Sequence, residues 1–143
     1  MFYYNTNLEF KGAIILSTLE ASKFLTKESR EYKTSMWLRN PGHHDKFACY
    51  VDFFGTVSYS GGSIYDADGI RPALQICNLG SFNVGDIFSI GEYYFKIISP
   101  ELAWLYKQDI GFDIFDKESN NYETSHVKRV VDAWFEELKK EIK

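Results

Sequence analysis

Apolar positions follow two rhythms along this chain. Over residues 127–142 they recur at helical spacing, as Val127, Val130, Val131, Trp134, Phe135, Leu138 and Ile142, which makes one apolar stripe on an amphipathic helix. Ser125 or Thr124 stands where an N-cap hydroxyl is wanted. Lys139, Lys140 and Lys143 sit at the far end, where the helix dipole favours cations. Over residues 35–98 the runs are short, and glycines break them at close intervals. Strands are predicted at Met36-Trp37-Leu38, stopped by Asn40-Pro41-Gly42, and at 47–53, 56–59, 70–77, 86–90, 93–98 and 102–106. Gly91-Glu92 reads as a glycine-first type II′ turn. Pro72 predicts an edge or a bulge near the start of its strand.

The first 34 residues add an aromatic edge strand at 2–10 and a short buried strand at 12–16. Ser17-Thr18-Leu19-Glu20 is a capping-box sequence, which predicts a helix over 18–25. The charged stretch 26–34 reads as a loop. Strands framed by a short N-terminal helix and a C-terminal amphipathic helix give an α+β domain of twisted antiparallel sheets, a single domain over 1–143.

Composition narrows the function classes. The 143 residues carry a net charge of −4, so the basic footprint of a general nucleic-acid binder is not expected. Aromatics make up 17% of the chain, with ten Tyr and twelve Phe, which suits β-rich packing or an adhesive surface. Cys49 and Cys77 lie in apolar, strand-like runs and are expected to be buried free thiols. No run is long and apolar enough to span a membrane. The start, MFYYNTNLEF, lacks the regions of a signal peptide, so a cytoplasmic location is expected.

Candidate chemistry is sparse. Asp66-Ala67-Asp68-Gly69 resembles the middle of a calcium loop. With Gly69 at position 6, however, positions 1 and 12 fall on Ile64 and Gln75, which cannot serve as the outer ligands. Asp68-Gly69 then reads as a tight turn, with Arg71 as an internal clamp for carboxylates or loop carbonyls. His43, His44 and Asp45 lack the partners of a metal site, and no metal or cofactor is expected. No nucleophile elbow or phosphate loop occurs, so no catalytic residue is assigned. Two surfaces remain. One is the 43–65 region, with Tyr50, Phe53, Tyr59 and Tyr65 as possible anchors and His43, His44 and Asp45 at its rim. The other is an acidic segment containing Asp109, Asp113, Asp116, Glu118 and Glu123.

The centre of the chain carries a resemblance. Trp37-Leu38-Arg39-Asn40-Pro41-Gly42, then Ala48, Tyr50-Val51, Gly55 and Val57, then Asp68-Gly69-Ile70-Arg71-Pro72-Ala73-Leu74, look like a W-L-R-[ST]-P-G … G-[VI]-R-P-A-L signature. That signature marks an uncharacterised domain family common in Gram-positive bacteria and their phages. The family resembles the formylglycine-generating-enzyme type of C-type-lectin-like fold. Residues 84–98 resemble the hairpin that opens such domains, and Asn121-Tyr122-Glu123-Thr124-Ser125 resembles a helix start of the family. Both follow the R-P-A-L segment here, so either the element order is rearranged or the chain pairs the end of one unit with an appended one. Cys49 and Cys77 are outside the context of the superfamily's reactive cysteines, and the lectin calcium motifs are missing. The resemblance implies a recognition scaffold whose binding residues precede the R-P-A-L segment, here 43–65.

The expected function is a non-enzymatic protein-binding module encoded by a phage or mobile element. The first alternative is an anti-CRISPR-like inhibitor that engages a host defence nuclease complex through the acidic segment. The second is a small-ligand-binding protein or an enzyme.

Overall fold

A computed structural model describes residues 7–142. The chain forms two five-stranded sheets, two short N-terminal helices and one long C-terminal helix. In order these are β1 (Glu9–Ile14), α1 (Thr18–Phe24), α2 (Lys27–Arg30), β2 (Met36–Pro41), β3 (Phe47–Val51), β4 (Val57–Ser63), β5 (Asp68–Gly69), β6 (Ala73–Asn78), β7 (Ile87–Ile90), β8 (Tyr93–Ser99), β9 (Leu102–Leu105), β10 (Phe112–Asp113) and α3 (His126–Leu138). The first sheet runs β1-β6-β9-β8-β7 and the second β10-β5-β2-β3-β4. Every pairing is antiparallel except β2 with β5, where Met36 lies opposite Gly69 in a parallel bridge. No helix among the described residues is long and apolar enough to cross a membrane.

β9 is buried on both faces, and alternation along it divides the core in two. On β9, Ala103 and Leu105 join a core with Trp37, Leu74, Phe95, Ile97 and the buried stripe of α3. Leu102 and Trp104 join a second core with Leu16, Ala21, Leu25, Met36, Leu38 and Val51 under α1. Both sheets contribute to each core, so the halves before and after residue 80 pack as one unit.

The helices begin where local chemistry places them. Ser17 and Glu20 make the reciprocal capping box of α1. Ser125 Oγ accepts from Lys128 N–H and caps α3, and Val127, Val131, Phe135 and Leu138 are its buried face. The Gly91-Glu92 turn joins β7 to β8 with Gly91 at φ +59°.

Residues of the central signature act as ties between elements. Arg39 grips Glu20 through both nitrogens, at 2.6 and 3.0 Å, and donates to Ile15 O. Asn40 Oδ1 accepts from Thr18 N–H at the start of α1. Trp37 Nε1 donates to Asp113 O on β10.

Several expectations need correcting. Residues 26–34 are not all loop, because Thr26 Oγ1 accepts from Ser29 N–H and starts α2. Asp68-Gly69 is not the tight turn. It forms β5, held between β2 and β10, and the turn falls earlier, where Asp66 N–H reaches Ser63 O. Gly69 is required for a different reason: a Cβ there would lie 2.7 Å from Ser35 O. Pro72 makes neither an edge nor a bulge, because β6 starts at Ala73 and pairs on both sides. Cys49 is buried but Cys77 is exposed, near the end of β6 and beyond its last pairing with β9 at Gln75. The predicted strand at 2–10 lies largely outside the described residues, and β1 merges its last two positions with the strand expected at 12–16.

Candidate recognition surface

Among the described residues the β3–β4 hairpin carries the largest group of exposed aromatics, and its turn is built to display them. Asp52 O accepts from Gly55 N–H at 2.9 Å, closing a four-residue turn. Asp52 Oδ1 accepts from both Phe54 N–H and Thr56 N–H. The turn's outer carbonyls are satisfied from the α2 segment: Lys27 Nζ donates to Phe54 O, Arg30 Nε to Gly55 O, and Tyr32 N–H to Phe53 O. Arg30 also spans to Ala21 O and Leu25 O, which locks α2 to α1. With these backbone groups satisfied internally, the turn presents two phenyl rings outward. Phe53 and Phe54 are 54% and 61% exposed, with centroids 4.3 Å apart.

Gly55 makes this possible. It has φ +88°, and a Cβ would fall 2.3 Å from Lys27 O. Gly55→Ala is therefore expected to cost about 2–3 kcal/mol through backbone strain and displacement of α2. Urea unfolding measures the loss, and an unchanged midpoint would show that the turn is not held in this way.

The rest of the hairpin continues the surface. Tyr59 on β4 is 54% exposed, and its hydroxyl lies 2.7 Å from Ser22 Oγ on α1, which fixes the ring. Tyr65, just past β4, and Phe47, on β3 opposite Ser63, are exposed as well. Tyr50 is half-buried, with its ring close to Gly62. β4 is an edge strand, and 57–63 contains no charged residue and no proline. A register shift between Ala48 and Tyr50 bends it, which is a common device for keeping an edge from open-ended pairing.

His43, His44 and Asp45 lie exposed in the β2–β3 turn. His44 Nδ1 accepts from Lys46 N–H and lies 3.1 Å from Asp45, and its ring is 5.1 Å from that of Phe47. These contacts shape the turn, and they do not converge on a common point. No group of three or more His, Cys, Asp or Glu among the described residues could hold a metal ion.

Three carboxylates of the acidic segment are engaged in hydrogen bonds within the fold. Asp109 accepts from Tyr32 Oη at 2.7 Å and from Gly111 N–H. Asp113 pairs with His126 Nε2 at 2.8 Å and accepts from Ile114 N–H. Asp116 is buried and accepts from the backbone N–H groups of Glu118, Ser119 and His126. Glu118 and Glu123 are exposed, Asp109 and Asp113 are half-buried, and Asp116 alone of the five is buried. Lys46 Nζ donates to Glu118 O, and Asn120 Nδ2 donates to His44 O and Phe47 O. The loop thus packs beside the β2–β3 turn, and the two surfaces suggested by the sequence adjoin.

Hydrogen bonds set the charge states here. The His126 contact, with help from Ile114 N–H, holds Asp113 below the usual carboxylate range. Burial pushes Asp116 up, but the backbone donors outweigh it and its pKa also ends low. A carboxylate depressed in the folded state stabilises above its unfolded pKa of about 3.8, and that stability is lost as pH falls through the lower folded value. Asp116→Asn keeps only one acceptor oxygen. It is expected to cost about 1–2 kcal/mol at neutral pH and to flatten the loss of stability below about pH 4. Denaturant melts at neutral and acid pH measure both effects, and an acid limb as steep as that of the parent chain would exclude this role.

Arg71 is in the interior. It is 2% exposed, and its guanidinium lies 4.1 Å from the ring centroids of both Tyr32 and Trp104. Nε donates to Gln108 O at 2.9 Å and Nη2 reaches Leu105 O at 3.4 Å. Burial pushes its pKa down to about 10, so it stays charged at neutral pH. Asp68, on the neighbouring β5, is pushed up by burial and accepts from Ser35 Oγ.

Sequence reasoning missed Phe54. The readable signal was Asp52 followed three residues later by Gly55, the favoured ends of a type I turn, which forces the two intervening phenylalanines outward. Protein-family models, characterised proteins and solved structures were compared with this chain, and none matches it.

Proposed function

We propose that this protein is a recognition module that binds a protein partner through the aromatic hairpin formed by β3 and β4. The observation that carries the reading is the Phe53-Phe54 turn. Two phenyl rings are held in water by a turn whose backbone is tied to α2. An exposed apolar pair opposes solubility unless something covers it, and a pre-organised aromatic loses little entropy on binding. Tyr59, Tyr65 and Phe47 extend the contact along the hairpin, and His43, His44 and Asp45 lie at its polar rim. The resemblance of residues 35–76 to a phage-associated recognition scaffold with C-type-lectin-like character supports the same reading. It brings with it a mobile-element origin, a cytoplasmic setting and a host protein, such as a defence complex, as partner. Engagement of that partner through an acidic face is the weaker version, because Asp109, Asp113 and Asp116 are committed to internal hydrogen bonds.

The test is affinity capture from host lysate with three baits: the parent chain, Phe53→Ser/Phe54→Ser, and Glu118→Gln/Glu123→Gln. A partner held by the parent and the glutamine variant, and lost by the serine variant, supports the reading. Retention by the serine variant with loss by the glutamine variant transfers the function to the acidic loop.

A further inference from the structure

A small cleft of about 160 Å³ lies where the end of α1 and the start of α2 meet the first sheet. Its walls are mainly apolar: Phe24 and Leu25 from the helix side, Ile98 and Trp104 from the sheet, and Tyr106 at one end. Among the described residues Lys96 is the only charged one that lines it. The ammonium is placed by register, because Lys96 lies directly opposite Trp104 on the neighbouring strand, and Nζ is 5.9 Å from the Tyr106 ring centroid. The other described clefts carry both signs, with Arg129 beside Asp116 in one, Lys128 beside Asp132 in a second and Lys23 beside Glu20 in a third. Here a cation lines an apolar slot, and among the described residues no carboxylate lines it. At the rim, Thr26 Oγ1 accepts from Ser29 N–H, and a hydroxyl that accepts one bond can still donate its own hydrogen.

We propose that this cleft binds a small monocarboxylate with a compact apolar body. The carboxylate lies against Lys96, with the Thr26 hydroxyl as a second donor, and the body lies between Phe24 and Trp104. The volume sets the size class, because drug-sized ligands need about 300 Å³ or more, whereas a slot of about 150 Å³ accepts a single benzene-sized ring. The missing counter-charge sets the chemistry, because an ammonium beside apolar walls is stabilised by an anion it can hydrogen-bond. This site is separate from the Phe53-Phe54 turn and does not depend on it.

Amide NMR of the full chain, titrated with benzoate and in parallel with benzamide as its neutral isostere, tests the proposal. Benzoate is expected to shift the amides of Leu25, Ser29, Gly85 and Lys96 and to bind at least about fivefold more tightly than benzamide. Lys96→Met keeps the apolar stem and should erase that preference. Lys107→Met should leave it intact, although Lys107 Nζ approaches the same Tyr106 ring at 5.1 Å. Lys96→Gln replaces the methionine variant if the latter fails to fold. Equal binding of the two probes, a preference that survives loss of the Lys96 charge, or shifts centred on residues 53–65 would each overturn the assignment.

Discussion

Arg71→Ala is expected to destabilise the fold by about 3–5 kcal/mol, with a drop in melting temperature on the order of 10 °C. Three losses combine. The guanidinium fills the gap between Tyr32 and Trp104, so truncation leaves a void where two rings had a partner. The carbonyls of Gln108 and Leu105 lose their donor, and a buried acceptor without a partner costs about 1–3 kcal/mol. The segment 105–110 also loses its tie to the strand pair beneath it. Substitutions separate these terms. Arg71→Lys keeps a charge but not the planar fork or the stacking, and should still cost about 2–3 kcal/mol. Arg71→Met keeps bulk between the rings and removes a charge that no carboxylate pairs directly, so it should cost less than alanine. If methionine and alanine destabilise equally, the stacking has little weight, and the loss comes from the two carbonyls.

Arg71 also marks how far the residues could be read before the structure. An internal clamp after a glycine, suited to loop carbonyls, follows from the chemistry of the guanidinium and needs no coordinates. The capping box of α1, the stripe of α3 and the Gly91-Glu92 hairpin were equally legible, because each depends on contacts within a few residues. Long-range pairing was not. Asp68-Gly69 has turn composition, yet it is drawn into β5 by Met36 on one side and Phe112 and Asp113 on the other. Cys77 has an apolar neighbourhood in sequence but sits where β6 has run past β9. α2 is a single turn whose stability comes from Arg30 and the hairpin it touches, and a window of nine charged and polar residues gives no sign of that.

The aromatic residues of the proposed surface were legible only in outline. A dense set of aromatics over 47–65 could be named, but whether each ring packs inward depends on strand register, and the two-residue slip between Ala48 and Tyr50 has no signature in the sequence. How far the acidic segment is free to meet a partner was not legible for a related reason. A count of carboxylates says nothing of the backbone N–H groups and hydroxyls waiting for them, and three of the five are consumed by turns, by the start of α3 and by Tyr32. The signature residues Trp37, Arg39, Asn40 and Arg71 all serve as ties, so that pattern describes the scaffold, and the proposed contact surface lies between its two halves.

The second large effect is expected on binding. Removing both rings with Phe53→Ala/Phe54→Ala should weaken partner affinity by about 3–4 kcal/mol, several hundredfold, if the pair forms a central anchor. Stability should hardly move, because both side chains already lie mostly in water and the turn is secured by Asp52, Lys27 and Arg30. Tyr59→Ala should have a smaller effect on affinity, about 1–2 kcal/mol, with a slight loss of stability from the broken contact with Ser22.

The most direct measurement is therefore paired. The parent chain and Phe53→Ala/Phe54→Ala are compared by thermal melting and by titration against the captured partner. The account predicts superimposable melts and a dissociation constant raised at least about a hundredfold. A variant that melts with the parent and binds with undiminished affinity would contradict it.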